Sequence, residues 1–155
     1  MKRSASETIR NLEGRIARLE GRTANKHSGL KISTGWYTGH PRDRNTDMTF
    51  AEIIAEVNSD IESAKSSLEE GIEEGDIERG TSLYAYVDIG GGQLQISWGL
   101  DDGSDNLQGG CWSCLYQVFV ATGCESQSYN SCANKLQSIL KSNLKARADY
   151  DITKA

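Results

Sequence analysis

The sequence has 155 residues, of which 37% are apolar and 25% are charged, and its formal net charge is −5. This length is enough for one domain with a substantial core, so folding requires neither a metal nor a disulfide framework. No apolar run approaches the roughly 18 residues of a membrane-spanning helix, and the opening residues lack the apolar segment of a secretory signal. We therefore expect a cytoplasmic protein without membrane contact.

Charge is unevenly distributed along the chain. Residues 1–50 contain 10 Lys and Arg against 5 Asp and Glu, residues 51–110 contain 2 against 14, and residues 111–155 contain 5 against 3. The basic first segment and the acidic middle could bind each other between copies of the chain, or bind partners of opposite charge. A solvated acidic helix face is the simpler alternative.

Residues 1–22 are predicted to form an amphipathic N-terminal helical arm. Ser4 and Glu7 have the spacing of a capping box. Apolar side chains then recur at three- and four-residue intervals, at Ile9, Leu12, Ile16 and Leu19. Three arginines surround this apolar stripe: Arg10, Arg15 and Arg18. Because a helix of this length is only marginally stable alone, the stripe must be buried against the rest of the chain or against another subunit.

Residues 23–48 are predicted to be a linker or long loop. They are rich in Gly, Ser, Thr, Asn and charged residues and contain the single Pro of the chain. Leu30 and Ile32 alternate with polar residues and could form a short strand within this segment. Trp36 and Tyr37 are aromatic residues in polar surroundings, and such residues either anchor a loop to the core or contact a partner. Both are therefore candidate partner-binding residues.

The most clearly patterned element is a helix predicted over residues 49–74. It opens with a Thr-x-x-Glu capping box and carries a continuous apolar stripe. Residues 83–100 predict a β-hairpin, because two runs of alternating apolar residues flank a run of glycines. One face of the hairpin is expected to cover the helix, while Tyr84 and Tyr86 belong to the opposite face.

The remaining sequence completes a predicted α+β fold. We expect a third strand near residues 115–121 because of its β-branched and aromatic residues, although a short helix also fits the spacing. A C-terminal helix is predicted over residues 129–148, and residues 149–155 are expected to be a tail. The predicted body, residues 49–148, is thus a small antiparallel sheet covered by helices 49–74 and 129–148.

Four cysteines form the sharpest local motif: Cys111, Cys114, Cys124 and Cys132. Structural zinc sites usually need a second close pair, which the last two cysteines do not supply, so we expect no metal. The Cys-x-x-Cys pair could act as a redox dithiol, but the sequence around it lacks a thioredoxin-like βαβ pattern. We expect the cysteines to be small buried hydrophobic side chains, or to form disulfides if the mature protein leaves the cell.

No catalytic set can be assembled from the sequence. The only two histidines, His27 and His40, both lie in the polar segment before residue 48. Asp101 and Asp102 lack the ligand spacing of a calcium loop, and the triple glycine lies between two strands rather than before a helix. The basic N-terminal residues could contact phosphates, but the acidic middle opposes nucleic-acid binding. We expect no enzyme activity and no cofactor.

The string RSASETIRNLEGRIARLEGR, residues 3–22, resembles the helical openings of small tailed-bacteriophage virion proteins. This resemblance implies a virion accessory role, such as head decoration, connector or tail attachment, in which the helix docks on a neighbouring subunit of an oligomeric assembly. It implies no catalytic residue. Two alternatives from other classes stay open: a thiol–disulfide oxidoreductase that uses Cys111 and Cys114, and an acidic inhibitor of a nucleic-acid enzyme.

Overall fold

The structure is a computed structural model that describes residues 27–37, 44–102, 107–124 and 127–153. The helices and strands of these residues follow in the order β1 (Ile32–Tyr37), β2 (Arg44–Met48), α1 (Phe50–Glu73), β3 (Leu83–Gly90), β4 (Gln93–Leu100), β5 (Gly109–Cys114), α2 (Leu115–Ala121), α3 (Tyr129–Asn143) and β6 (Ala148–Ile152). The strands form one mixed sheet in the order β2-β1-β5-β4-β3-β6. The predicted α+β class is confirmed, with a larger sheet than expected.

The central hairpin of β3 and β4 forms as predicted. Its antiparallel register runs from Leu83 opposite Leu100 to Gly90 opposite Gln93. Gly91 and Gly92 close the turn with φ values of 60° and 78°, in the left-handed region that favours glycine. A two-residue turn of this kind fixes the register, so the apolar residues of both strands share one face.

The helices cover one side of the sheet, which we call the inner face. α1 begins after the predicted capping box, in which Thr49 and Glu52 each accept a backbone hydrogen bond from the other. Its buried stripe consists of Ile53, Val57, Ile61, Ala64 and Leu68. This stripe, the buried residues of α2 and α3 and the inward residues of the strands form one hydrophobic core. Within the described residues, no helix combines the length and apolar character needed to cross a bilayer.

The predicted linker over residues 23–48 is wrong where β1 and β2 lie. β1 pairs with β2 on one side and with β5 on the other, so it is an internal strand of the sheet. Its polar composition concealed an alternating pattern, in which Ile32, Thr34 and Trp36 are buried on the inner face. Thr34 is tolerated there because its hydroxyl is 3.1 Å from that of Ser113 on β5.

The prediction of a third strand near residues 115–121 is also wrong. The strand that pairs with the β3–β4 hairpin next to β4 is β5, and residues 115–121 form the short helix α2. Leu115, Val118 and Phe119 are buried at helical spacing, which packs them together against the core. The aromatic and β-branched content that favoured a strand instead fills the inner face.

The C-terminal residues differ from the expected helix 129–148 and tail 149–155. α3 ends at Asn143, and β6 follows as an edge strand parallel to β3. Leu136 and Leu140 of α3 are fully buried, so this helix covers the inner face as predicted. The half-buried Tyr150 and Ile152 of β6 pack against the same core, which explains why this segment joins the sheet.

Candidate functional site

The side of the sheet opposite the helices carries a groove of about 680 Å³. We call this side the open face. Its groove has aromatic and neutral polar side chains, which are Tyr37, Tyr84, Tyr86, Gln95, Ser97, Gln108 and Trp112. Tyr37, Tyr84 and Tyr86 are 41%, 44% and 36% exposed, which is unusual for large aromatic side chains on a strand.

The strand register explains the shape of the groove. Tyr86 on β3 lies opposite Ser97 on β4. Ser97 lies opposite Gly110 on β5, which in turn lies opposite Tyr37 on β1. Small residues therefore separate two tyrosines across four adjacent strands, and three strand spacings place the tyrosine backbones about 14 Å apart. The tyrosines form the ends of the groove and the small residues form its floor.

Two glycines extend this floor. Gly99 on β4 lies opposite Tyr84, and its nearest neighbour in the direction of a side chain is Gln108 at 3.8 Å. Gly110 is more crowded, since a Cβ there would be 2.8 Å from the carbonyl oxygen of Ile96. Glycine weakens a strand and is retained where a ligand or another backbone approaches closely. A Cβ at Gly99 would meet only the Cβ of Gln108 within 4 Å, so a ligand can approach the sheet closely there.

Hydrogen bonds hold the rim of the groove in position. The side-chain amide of Gln108 donates to the hydroxyl of Tyr37 at 3.0 Å, which links β1 to the residue preceding β5. On the other side, the hydroxyl of Tyr86 donates to the carboxylate of Asp151 at 3.0 Å. This hydrogen bond is the main reason why the pKa of Tyr86 lies above its usual value. Tyr86 therefore remains a neutral hydroxyl donor.

Acidic residues lie beside the groove rather than in it. Asp88 on β3 and Asp151 on β6 are register neighbours, and Asp149 is the neighbour of Tyr86. By strand alternation these carboxylates belong to the open face, at its β6 edge. The groove itself is neutral, because none of its lining residues in the described part of the chain carries a charge.

The structure separates the two aromatic residues predicted to bind a partner. Trp36 is fully buried on the inner face, and its indole N–H donates to the hydroxyl of Thr46 at 2.9 Å. It is a core residue and presents no surface to a partner. Tyr37 points the other way and lies at the end of the groove. Adjacent residues of a strand face opposite sides of the sheet, so only one of these two side chains can lie on the open face.

Cys111 and Cys114 of the Cys-x-x-Cys pair are too far apart to form a disulfide with each other. Cys111 and Cys114 are at positions three apart on the extended strand β5, so their Cα atoms are about 10 Å apart. A disulfide requires less than about 7 Å. Burial raises the pKa of the Cys111 thiol to about 12, which opposes the reactive thiolate.

The other two cysteines are buried close together, Cys132 on α3 and Cys124 in the segment after α2. The Cys132 thiol donates to the carbonyl of Cys124 at 2.8 Å, and both residues belong to the core. Burial, with Cys124 as neighbour, raises the pKa of Cys132. All four cysteines are free thiols in the structure. Within the described residues, no group of three or more His, Cys, Asp or Glu side chains is arranged to hold a metal ion.

The predicted docking stripe and its arginines lie in residues 1–22, outside the described residues. Their role stays a prediction. No protein-family model matches the chain, and no curated protein or solved structure matches it either. The assignment of function therefore depends on the geometry of the site.

Sequence reasoning placed Tyr84 and Tyr86 on the outer face but did not identify the groove. Trp112 lies between the two cysteines of the Cys-x-x-Cys pair in the sequence, and the structure places it on the open face opposite Gln95 and Gly35. The sequence does contain an indication of the groove, because Gly99 and Gly110 interrupt strands without being needed for turns. Only the strand order shows that these glycines lie on adjacent strands, where Gly110 is opposite Ser97, two residues before Gly99.

Proposed function

We propose that this chain is a non-catalytic assembly and binding protein. The main support is a glycine-lined groove on the side of the sheet away from the helices. Four aromatic side chains surround it, namely Tyr37, Tyr84, Tyr86 and Trp112. Exposed clusters of aromatic residues with polar neighbours are typical of interaction sites. The body supplies a rigid sheet that holds this surface, since every strand contributing to the groove is paired on both sides.

The N-terminal arm is the proposed assembly element. α1, α2 and α3 already occupy the inner face, and Ile53, Val57 and Ile61 are fully buried against it. With the inner face already covered, we propose that the apolar stripe predicted on residues 1–22 binds a neighbouring subunit. Together with the resemblance to tailed-bacteriophage virion proteins, this supports a virion accessory role in an oligomer, with synthesis in the host cytoplasm.

Sedimentation velocity of the full chain and of a chain lacking residues 1–22 tests the assembly proposal. We expect the full chain to sediment as an oligomer and the shortened chain as a monomer with an unchanged unfolding temperature. The monomer is expected because the stripe, and not the body, joins the subunits. If both chains sedimented as the same species, the arm would have no assembly role. A stable full-length monomer would favour the acidic-inhibitor alternative.

A pair of single substitutions provides the matched control. Ile16→Asp places a carboxylate in the predicted stripe, whereas Asn11→Asp places one outside it. Both variants change the charge equally. We expect only Ile16→Asp to dissociate the oligomer, because a buried carboxylate without a partner is strongly unfavourable. Equal sedimentation of the two variants would contradict the predicted docking face.

A further inference from the structure

We propose that the groove of the open face binds a neutral carbohydrate chain. This inference rests on the proposed binding role of the open face, but it is independent of assembly through residues 1–22. The groove crosses four strands, and the three tyrosines that line it are each more than a third exposed. It can therefore accept an extended ligand lying across the strands, in contact with both end tyrosines.

The aromatic residues match the apolar faces of sugar rings. A pyranose ring presents axial C–H groups on one face, and these are attracted to the electron-rich face of an aromatic ring. Tyr37, Tyr84 and Tyr86 are exposed enough to offer such faces at separate points of the groove. The small floor residues between them leave room for a ring to approach the sheet closely.

The polar residues match the hydroxyl groups of a sugar. A hydroxyl both donates and accepts, and the amides of Gln95 and Gln108 and the hydroxyl of Ser97 supply both functions without a charge. Gln108 is already held by Tyr37, so little side-chain freedom is lost when a ligand binds. A few well-placed polar groups among aromatic side chains are the usual composition of a small-ligand site.

Charge disfavours a nucleic acid in this groove. Binding of a phosphate backbone depends on Lys and Arg side chains, whereas the described lining is neutral. The carboxylates of Asp88, Asp149 and Asp151 at the β6 edge would repel a polyanion. A stacked single strand therefore lacks the electrostatic attraction that it needs.

Backbone pairing disfavours an extended peptide. Peptides that bind to sheets usually add a strand at an edge, where unpaired N–H and C=O groups are available. The groove instead lies over β3, β4, β5 and β1, each of which has a strand on both sides. A ligand here must rely on side-chain contacts, which suits a sugar chain that carries its own hydroxyl groups.

Isothermal titration of the full chain with cellohexaose, chitohexaose and maltohexaose tests this proposal. We expect at least one of these neutral hexasaccharides to bind. Tyr84→Ala and Tyr86→Ala should each weaken binding by about tenfold, as expected for the loss of one aromatic contact with the ligand. The matched control is Tyr116→Ala on α2, which is 70% exposed and outside the groove lining. It should leave Kd unchanged.

A second variant fills the groove without removing any contact. A Cβ at Gly99 would meet only the Cβ of Gln108 at 3.8 Å, an ordinary van der Waals distance. Gly99→Val should therefore fold normally, which circular dichroism and the unfolding temperature check. Since its side chain occupies the space above the floor, we expect sugar binding to weaken by about tenfold or more.

Three results would overturn the proposal. The first is no binding of any of the three hexasaccharides up to about 1 mM. The second is binding that Tyr84→Ala and Gly99→Val leave unchanged, which would place the site elsewhere. The third is binding of an oligolysine peptide or oligo-dT that these variants weaken, without sugar binding. This third result would replace the ligand class while retaining the open face as a binding surface, and sedimentation would still test assembly separately.

Discussion

Gly99 and Gly110 illustrate how backbone packing decides which groove residues can change. A Cβ at Gly110 would be 2.8 Å from the Ile96 carbonyl oxygen and 3.2 Å from the Ser97 Cα, both backbone atoms of the paired strand. We expect Gly110→Ala to lower the free energy of unfolding by about 1–3 kcal/mol, because the sheet must shift to relieve the overlap. Gly99→Ala should change it by less than about 1 kcal/mol. Urea unfolding of both variants checks this, and equal stabilities would contradict the register.

The thiol of Cys111 predicts a loss of stability at alkaline pH. An unfolded thiol ionises near pH 8.5, whereas burial raises the pKa of Cys111 to about 12 in the folded protein. The raised pKa means that the contribution to stability is complete below about pH 8.5 and is lost as the pH rises towards 12. At pH 10 the loss from this group should be about 2 kcal/mol.

Urea unfolding of Cys111→Ala at pH 8 and pH 10 isolates this effect. The variant should be less stable than the original chain at pH 8 because of the cavity it leaves, but it should lose less stability between the two pH values. The half-buried Cys114 is the matched control. If Cys111→Ala and Cys114→Ala had the same pH dependence, the burial of Cys111 would not determine its ionisation.

Helices and strands differ in how well the sequence predicted them. α1 and the β3–β4 hairpin were predicted because capping residues, turn glycines and apolar periodicity agree there. A short strand through Ile32 was considered, but the full length of β1 was missed because it carries Thr34 on its inner face and Gly35 on its outer face, and β2 was missed with it. β6 was missed because its pairing with β3 is non-local. α2 was only the alternative to a strand, because its apolar residues satisfy both helical and strand spacing. The groove depends on β1 and β5, so it could not be derived from the hairpin alone.

The capping box of α1 is expected to contribute measurably to stability. Thr49→Ala removes the hydroxyl that accepts from the Glu52 N–H at 3.2 Å. We expect a loss of about 1 kcal/mol, the usual cost of losing an N-cap. Glu73→Gln at the other end of α1 is the control, and it should change stability by only a few tenths of a kcal/mol, because a negative charge there interacts unfavourably with the helix dipole. Thermal unfolding distinguishes the two, and a larger effect of Glu73→Gln would contradict the capping argument.

A chain that ends at Arg147 tests the role of β6. β6 pairs with β3 from Ala148 opposite Ala85 to Ile152 opposite Ile89. Its removal would expose a new sheet edge and part of the core under Tyr150 and Ile152. We expect a clearly lower unfolding temperature and concentration-dependent aggregation, as measured by calorimetry and light scattering. An unchanged unfolding temperature would show that this segment is the tail first expected from the sequence.

At the scale of the whole molecule, the two faces of one sheet have different compositions for different reasons. The inner face carries apolar side chains such as Val87 and Ile96, which helices bury. The open face carries aromatic and neutral polar side chains around glycines, with carboxylates at its β6 edge, and none of these side chains belongs to the core. The hydrophobic core therefore lies on one side of the sheet and the groove on the other, as the proposed binding role requires.

Acrylamide quenching of tryptophan fluorescence tests the division of the two faces most directly. The chain has three tryptophans: Trp36 is fully buried, Trp98 is 6% exposed, and Trp112 is half-buried on the open face. We predict one quenchable tryptophan in the folded full chain, and we predict that Trp112→Phe removes the quenchable fraction while leaving the other two shielded. If Trp112→Phe were quenched as strongly as the original chain, Trp36 or Trp98 would be the accessible residue. The assignment of an open, ligand-accessible face would then be contradicted.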